Sequence, residues 1–226
     1  MKKLIIFLNE KITEAVYNSM IDDKSLNYKI ECFCVEKKYK TKNKFLGLPN
    51  YDFETIEKNF SPSKYFFFVA IGYQKLNQIR EKIFYRAKKK GFKFVSYIHE
   101  SHKQNLTLKV GKNCFLMKDS IIHPNVELED NVFVWGGAII CHHSKLKKNS
   151  WLTAGSKIMG SSEIGENTFI AGGSLISHNI KIGKKSFIGA NSLVVKNVSK
   201  NSVVISKPSD KLRINSEDFL KTFNFI

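Results

Sequence analysis

A small α/β sheet joined to a parallel β-helix, with a short helix at the C-terminal end, is the fold class this sequence predicts. Three observations carry it. Strand-like and helix-like runs alternate over residues 1–103. From Val110 to Val194 an aliphatic residue recurs at every sixth position without a slip. Two residues before each repeat position stands a small or β-branched residue, as at Cys114, Ser120, Val126, Ser186 and Ser192. A period of six fits neither an α-helix nor a plain sandwich strand. It fits a chain that makes a short strand, turns a corner and repeats, each aliphatic stacking on its counterpart one coil away.

Residues 1–103 read as a Rossmann-like α/β domain. The run Leu4-Ile5-Ile6-Phe7-Leu8 is a buried strand. Its two preceding lysines imitate a signal peptide, but the apolar run is short and no small-residue cleavage site follows. Residues 10–21 form a helix with Ile12, Val16 and Met20 on one face. Residues 30–35 are a second strand and 52–59 a short helix. Residues 65–71 (Tyr-Phe-Phe-Phe-Val-Ala-Ile) are apolar throughout, as in a parallel sheet covered on both faces, and Gly72 ends the strand. Residues 76–90 are an amphipathic helix with Leu76, Ile79, Ile83 and Phe84 inward and Gly91 as its C-cap. Residues 92–98 are the next strand.

Residues 104–200 are the β-helix. Six residues make one side and eighteen a coil, so residues eighteen apart stack in columns spaced by about 4.8 Å. One corner carries Asn113, Asn131, Asn149 and Asn167; a second carries Asp119, Gly137, Gly155, Gly173 and Asn191. These are residue types that tolerate positive φ. The third corner holds His123, Cys141, Met159 and Ser177, then Pro124, His142, Gly160 and His178, then Asn125, His143, Ser161 and Asn179. Four of the six histidines fall on this edge. Neither core nor turn requires them there, which marks the edge as a functional site. Residues 201–226 form a tail and capping helix. Ser216 is its N-cap, with Phe219, Leu220 and Phe223 inward to plug an open end of the prism.

The chain has 226 residues, 42% of them hydrophobic, and no run approaching the roughly 18 apolar residues of a membrane helix. No membrane insertion and a cytoplasmic location are expected. Four cysteines show neither CxxC nor metal spacing, so reduced thiols and no metal are expected. The net charge of +17 reads first as a solvated lysine-rich surface and next as suited to a partner with several phosphates. No nucleic-acid-binding motif accompanies it, so no nucleic acid is expected.

The run Ile139-Ile140-Cys141-His142-His143-Ser144, set in hexapeptide repeats behind a small α/β domain, resembles the NeuD-like sugar acyltransferases. These comprise sialic acid O-acetyltransferases and N-acetyltransferases of nucleotide-linked 4-amino-sugars. The resemblance covers nearly the whole chain. It implies a left-handed β-helix, a homotrimer, and acetyl-CoA lying in the groove between adjacent β-helices. It implies a general base at His142, with His143 supporting. Gly160 joins Ala171, Gly172, Gly189 and Ala190 as the implied CoA contacts, the last four matching positions where the pantetheine arm passes close to backbone. The N-terminal domain would hold a nucleotide-sugar, with Gly72, Tyr73, Asn77 and Arg80 as its candidate contacts.

The chemistry asks for few parts. An amine or hydroxyl must lose a proton as it attacks the thioester, and histidine accepts one near neutrality. The oxyanion needs donors, for which the backbone N–H of Gly160 or Ser161 is in range of His142. Four departures from the family pattern stand out. The first strand runs into Asn9-Glu10-Lys11 rather than a glycine-rich phosphate loop, which would shift phosphate binding to Arg80 and Lys75. His143 stands where an acidic residue often follows the base. Trp151 replaces a second histidine nine residues on. Ser206-Lys207-Pro208-Ser209 replaces the usual Gly-x-Pro-Ala.

The function expected is therefore an acetyl-CoA-dependent N-acetyltransferase for a nucleotide-linked deoxyamino sugar in surface-glycan biosynthesis. The alternative is a sugar O-acetyltransferase, or one using another acyl donor. Two further readings are a γ-class carbonic anhydrase and a non-catalytic β-helix binding protein.

Overall fold

In the computed structural model, which describes residues 2–222, β1 (Lys2–Phe7) is buried from Leu4 onward and needs cover on both faces. It lies inside a six-stranded sheet with β2 (Tyr28–Val35), β3 (Lys44–Phe45), β4 (Leu48–Asp52), β5 (Tyr65–Val69) and β6 (Lys93–Phe94), ordered β3-β4-β2-β1-β5-β6. All neighbours are parallel except β3 and β4. That antiparallel pair turns on Leu46 and Gly47, both at positive φ. Helices α1 (Glu10–Ile21), α2 (Ile56–Asn59) and α3 (Gln78–Lys89) complete the unit. Ile5, Phe7, Phe67 and Val69 meet α2 and α3 on one side. Leu4, Ile6 and Phe68 meet α1 and the β-helix on the other, so the second domain is itself the missing cover.

Helix α3 departs from expectation. Lys75, Leu76 and Asn77 all have positive φ, so the helix starts at Gln78. Its buried face is Arg80, Ile83, Phe84 and Ala87, while Ile79 points outward. Gly91, at φ +89°, ends it as expected. The expected strand at 92–98 is split. β6 stays in the first sheet, whereas Tyr97–Ile98 pairs with Phe115–Leu116 and starts the first coil. The coil also runs on to Val203–Val204, which pairs with Phe187–Ile188. Its strands therefore extend beyond the expected 104–200 at both ends.

The period of six produces three flat faces. The aliphatic repeat positions fill the interior, all buried between Leu116 and Val194 except Ile122. Each such side chain contributes roughly 2 kcal/mol by its removal from water. Small residues precede them because the corners are tight, and their hydroxyls cap corner carbonyls. Ser144 donates to Met159 O, Ser162 to Ser177 O and Thr168 to Gly183 O. The residue before each inward aliphatic points outward, and its type differs face by face. One face shows Lys109, Glu127, Lys145, Glu163 and Lys181, with ion pairs from Glu127 to Lys109 and Lys145 and from Glu163 to Lys147, and is suited to water. A second shows Tyr97, Phe115, Phe133, Trp151, Phe169 and Phe187, a stack that meets the N-terminal sheet. The third shows Ile121, Ile139, Lys157, Leu175 and Leu193, and among the described residues Ile121 and Leu193 are left 51% and 64% exposed.

The asparagine corner does more than turn. All four side chains are hydrogen-bonded in a buried ladder: Asn113 Nδ2 to Asn131 Oδ1 (2.7 Å), Asn131 to Asn149 (2.8 Å) and Asn149 to Asn167 (3.3 Å). The N–H of Val69 in β5 donates to Asn113 Oδ1 at one end, and Asn167 donates to Glu81 of α3 at the other. Arg80 lies against this ladder, fully buried. Its guanidinium donates to Asn131 Oδ1, Asn77 Oδ1 and the carbonyls of Ile71, Gly72, Asn131 and Asn149. Its plane lies over Phe133 and Trp151, 4.4 and 5.1 Å from the ring centroids. Burial pushes its pKa down to about 9, which leaves it cationic at neutral pH.

Among its described residues the tail does not plug the prism. α4 (Ser216–Thr222) buries none of its described residues, and Asn215 caps it, its Oδ1 accepting from the Asp218 N–H at 2.8 Å. Phe223, expected to face inward, lies outside the described residues.

Arg80→Lys tests the clamp. An ammonium cannot reproduce the planar fork and leaves buried carbonyls unpaired, so unfolding free energy should fall by about 3 kcal/mol in urea titrations. A variant as stable as the parent would remove the clamp from the account.

Candidate active site

The histidine edge lies between the charged and the aliphatic faces. Every corner of the prism needs a residue at positive φ, and here that column is Asn125, His143, Ser161 and Asn179, at φ of 58–60°. The turn therefore does use His143, since histidine is one of the few non-glycine types enriched in that region. The expectation that the turn requires none of these histidines holds for His142 and His178 but not for His143.

His142 is exposed, and its imidazole lies on Gly160 of the next coil. A Cβ built on Gly160 would stand 2.8–3.2 Å from three atoms of that ring. Gly160 is thus a seat for the imidazole. The backbone holds the two coils in register, the Ser161 N–H donating to His142 O at 2.9 Å and the Asn179 N–H to Gly160 O at 2.9 Å. The Ser161 N–H is consequently engaged, which removes one expected oxyanion donor. His142 Nδ1 faces His143 Nδ1 at 3.1 Å, the rings 81° apart. Asn125 Nδ2 lies 3.3 Å from His143 Nε2.

The other expected CoA contacts stand on the edge across the aliphatic face. Gly172 and Gly189 are explained by coil-to-coil approach: a Cβ there would lie 3.1 Å from Ala154 O and 3.0 Å from Ile205 Cγ2. Ala171 is nearly buried, and Ala190 is exposed with its carbonyl accepting from Ser206. Histidines and small residues thus flank one aliphatic face from its two sides.

The N-terminal candidates need correction. Arg80 and Asn77 are fully buried and spend their side chains on the chain itself, Asn77 Nδ2 reaching Thr168 O at 3.3 Å. Neither can meet a phosphate. Gly72 is buried, with its carbonyl accepting from Arg80. Of these four only Tyr73 is exposed, its ring 4.6 Å from Phe169 and 5.6 Å from Trp151. The turn after β1 is closed by Thr13, whose Oγ1 accepts from the Asn9 N–H at 2.6 Å and donates to Ala70 O. Trp151 is buried, stacks on Phe133 at 5.2 Å and belongs to the interdomain core. Asn125, Gly160 as a seat, and the outward aliphatics are features that reading the sequence along the chain missed. The eighteen-residue columns contained the signal for the first two.

The bacterial transferase hexapeptide family (six repeats) matches residues 108–142, and the hexapeptide repeat of succinyl-transferase matches residues 163–196. No curated protein matches the chain. A variant of perosamine N-acetyltransferase from Caulobacter crescentus, solved with CoA and GDP-perosamine, is 20% identical with a TM-score of 0.79, covering 91% of this chain and 94% of its own. The acetyltransferase domain of PglB from Neisseria gonorrhoeae, solved with acetyl coenzyme A, is 20% identical with a TM-score of 0.78, covering 93% and 99%. WeeI from Acinetobacter baumannii is 16% identical with a TM-score of 0.76, covering 94% and 100%. The chain matches hexapeptide-repeat models over residues 108–142 and 163–196, and its fold, an α/β domain followed by a left-handed β-helix, is that of perosamine N-acetyltransferase and of the PglB acetyltransferase domain.

Proposed function

We propose that this protein transfers an acetyl group from acetyl-CoA to a sugar in surface-glycan biosynthesis, with His142 as general base. The observation that carries the reading is an exposed imidazole seated on Gly160, on the edge of a β-helix shared with sugar N-acetyltransferases. The attacking group gives its proton to His142, and the departing thiolate takes one back.

The outward aliphatic face supports a homotrimer. Ile121, Ile139, Leu175 and Leu193 share one outward face, interrupted by Lys157, and outward aliphatics of this kind suit cover by a neighbour. If three copies turn this face toward a common axis, the histidine edge of one stands beside the Ala171–Gly172–Gly189–Ala190 edge of the next. A CoA molecule between them would touch both sets of residues. The lysine-rich surface suits its phosphates.

For the acceptor, the likeness to a protein solved with GDP-perosamine favours the amino group of a nucleotide-linked deoxyamino sugar. One observation favours the O-acetyl reading. The first turn has no glycine loop and is closed by Thr13, and Arg80 is sequestered, so the phosphate contacts expected of a nucleotide-binding domain are reduced to exposed residues such as Lys75. Thiol release from acetyl-CoA, measured across nucleotide-linked amino sugars and free sugars, separates the two.

Three variants test the site. His142→Ala should keep the fold and CoA binding while turnover falls at least about a hundredfold; an active variant would remove His142 from the base role. Gly160→Ala forces the imidazole off its seat and should lower kcat about tenfold with little loss of stability. Leu175→Glu, which puts a charge in the aliphatic face, should give a monomer in analytical ultracentrifugation. A parent that is already monomeric would end the trimer reading.

A further inference from the structure

The two histidines face each other through the same atom type. His142 Nδ1 and His143 Nδ1 are 3.1 Å apart, so when both rings are neutral one proton lies between them. Where it resides decides what His142 can do. If it belongs to His143, the proton of His142 sits on Nε2, and the outer nitrogen has no lone pair to offer. If it belongs to His142, Nε2 is bare and basic. His143 then carries its own proton on Nε2, and that N–H needs an acceptor. The carboxamide of Asn125 faces it, placed with Nδ2 3.3 Å from His143 Nε2. A carboxamide offers an oxygen on one side and an NH₂ on the other, and turning it over exchanges them. With oxygen toward His143, the chain Asn125–His143–His142 leaves His142 Nε2 free. With NH₂ toward His143, both histidines are set the wrong way.

From this geometry we infer that Asn125 and His143 are positioning residues that select the tautomer of His142. In the working state the Asn125 carboxamide is turned over from the placement seen here, so that its oxygen accepts from His143 Nε2–H and His143 Nδ1 accepts from His142 Nδ1–H. The inference rests on His142 being the base. When Nε2 takes the proton lost by the attacking amine or hydroxyl, His142 Nδ1–H donates to His143 as a charge-assisted bond. When the C–S bond breaks, the proton on Nε2 goes to the thiolate, and the relay returns to its starting state. The prism builds the relay cheaply. Asn125 and His143 occupy the same left-handed corner position one coil apart, and Thr107 in turn holds Asn125, its Oγ1 accepting the Asn125 N–H at 2.9 Å.

Ring ¹⁵N spectra of the folded, histidine-labelled full chain at a pH where both rings are neutral test this directly, with His142→Ala and His143→Ala assigning the signals. The parent should show His142 protonated at Nδ1 and His143 at Nε2. Asn125→Asp, an acceptor only, should retain that pattern. Asn125→Gly, which the left-handed φ of 60° tolerates, should mix the tautomers and lower kcat about tenfold with KM for acetyl-CoA unchanged, the size of one lost hydrogen bond. A parent with His142 protonated at Nε2, or tautomers indifferent to both Asn125 variants, overturns the relay. The spectra need no substrate, so they report on the relay even if His142→Ala proves active and the base reading fails.

Discussion

Arg80 sets a full positive charge where water does not reach, and six acceptors surround it: two asparagine side-chain oxygens and four backbone carbonyls. Two of those carbonyls belong to the loop after β5 and two to corners of the β-helix. The guanidinium therefore satisfies groups from both domains at once. A buried charge without a carboxylate partner is tolerable only when every donor is matched. The asparagine ladder beside it runs from β5 to α3. Together with the aromatic stack, these bonds make the two domains share one core. The position of the N-terminal domain over the prism, and hence of any acceptor it holds, follows from this junction.

A coil of eighteen residues turns single positions into columns, and columns into surfaces with separate tasks. The charged face meets water, the aromatic face meets the first domain, and the third face carries outward aliphatic side chains at Ile121, Ile139, Leu175 and Leu193. The edge that carries His142 borders the aliphatic face. In the same geometry the histidines and the small residues at Ala171, Gly172, Gly189 and Ala190 lie on opposite sides of that face. It also explains Gly160, where the imidazole above leaves no room for a methyl group.

Much of the fold could be read in advance because the prism interior is repetitive. Each sixth residue answers to one requirement, the exclusion of water, and Asn, Asp and Gly at corners answer to another, positive φ. Strands β1 and β5 were legible for a similar reason, being apolar on both faces. The edges of that logic are where reading failed. Residues 92–98 look like one strand, yet they serve two sheets. Arg80 looks like a phosphate ligand because cations are usually solvated, and nothing local reveals that Asn131 and Asn149 await it. Ile79 was placed inward by helical spacing, but the helix starts later than that spacing implies. At the site, His142 stood out by residue type, whereas Asn125 did not, because asparagine at a corner already has a sufficient backbone reason to be there.

The central claim is that the edge bearing His142 is completed by a second copy of the chain, with CoA between them. An experimental structure determined with CoA tests it most directly. The account predicts three copies packed through Ile121, Ile139, Leu175 and Leu193, with the thiol of CoA within about 4 Å of His142 Nε2. A structure with that aliphatic face open to solvent, or with CoA bound away from the histidine edge, would contradict it.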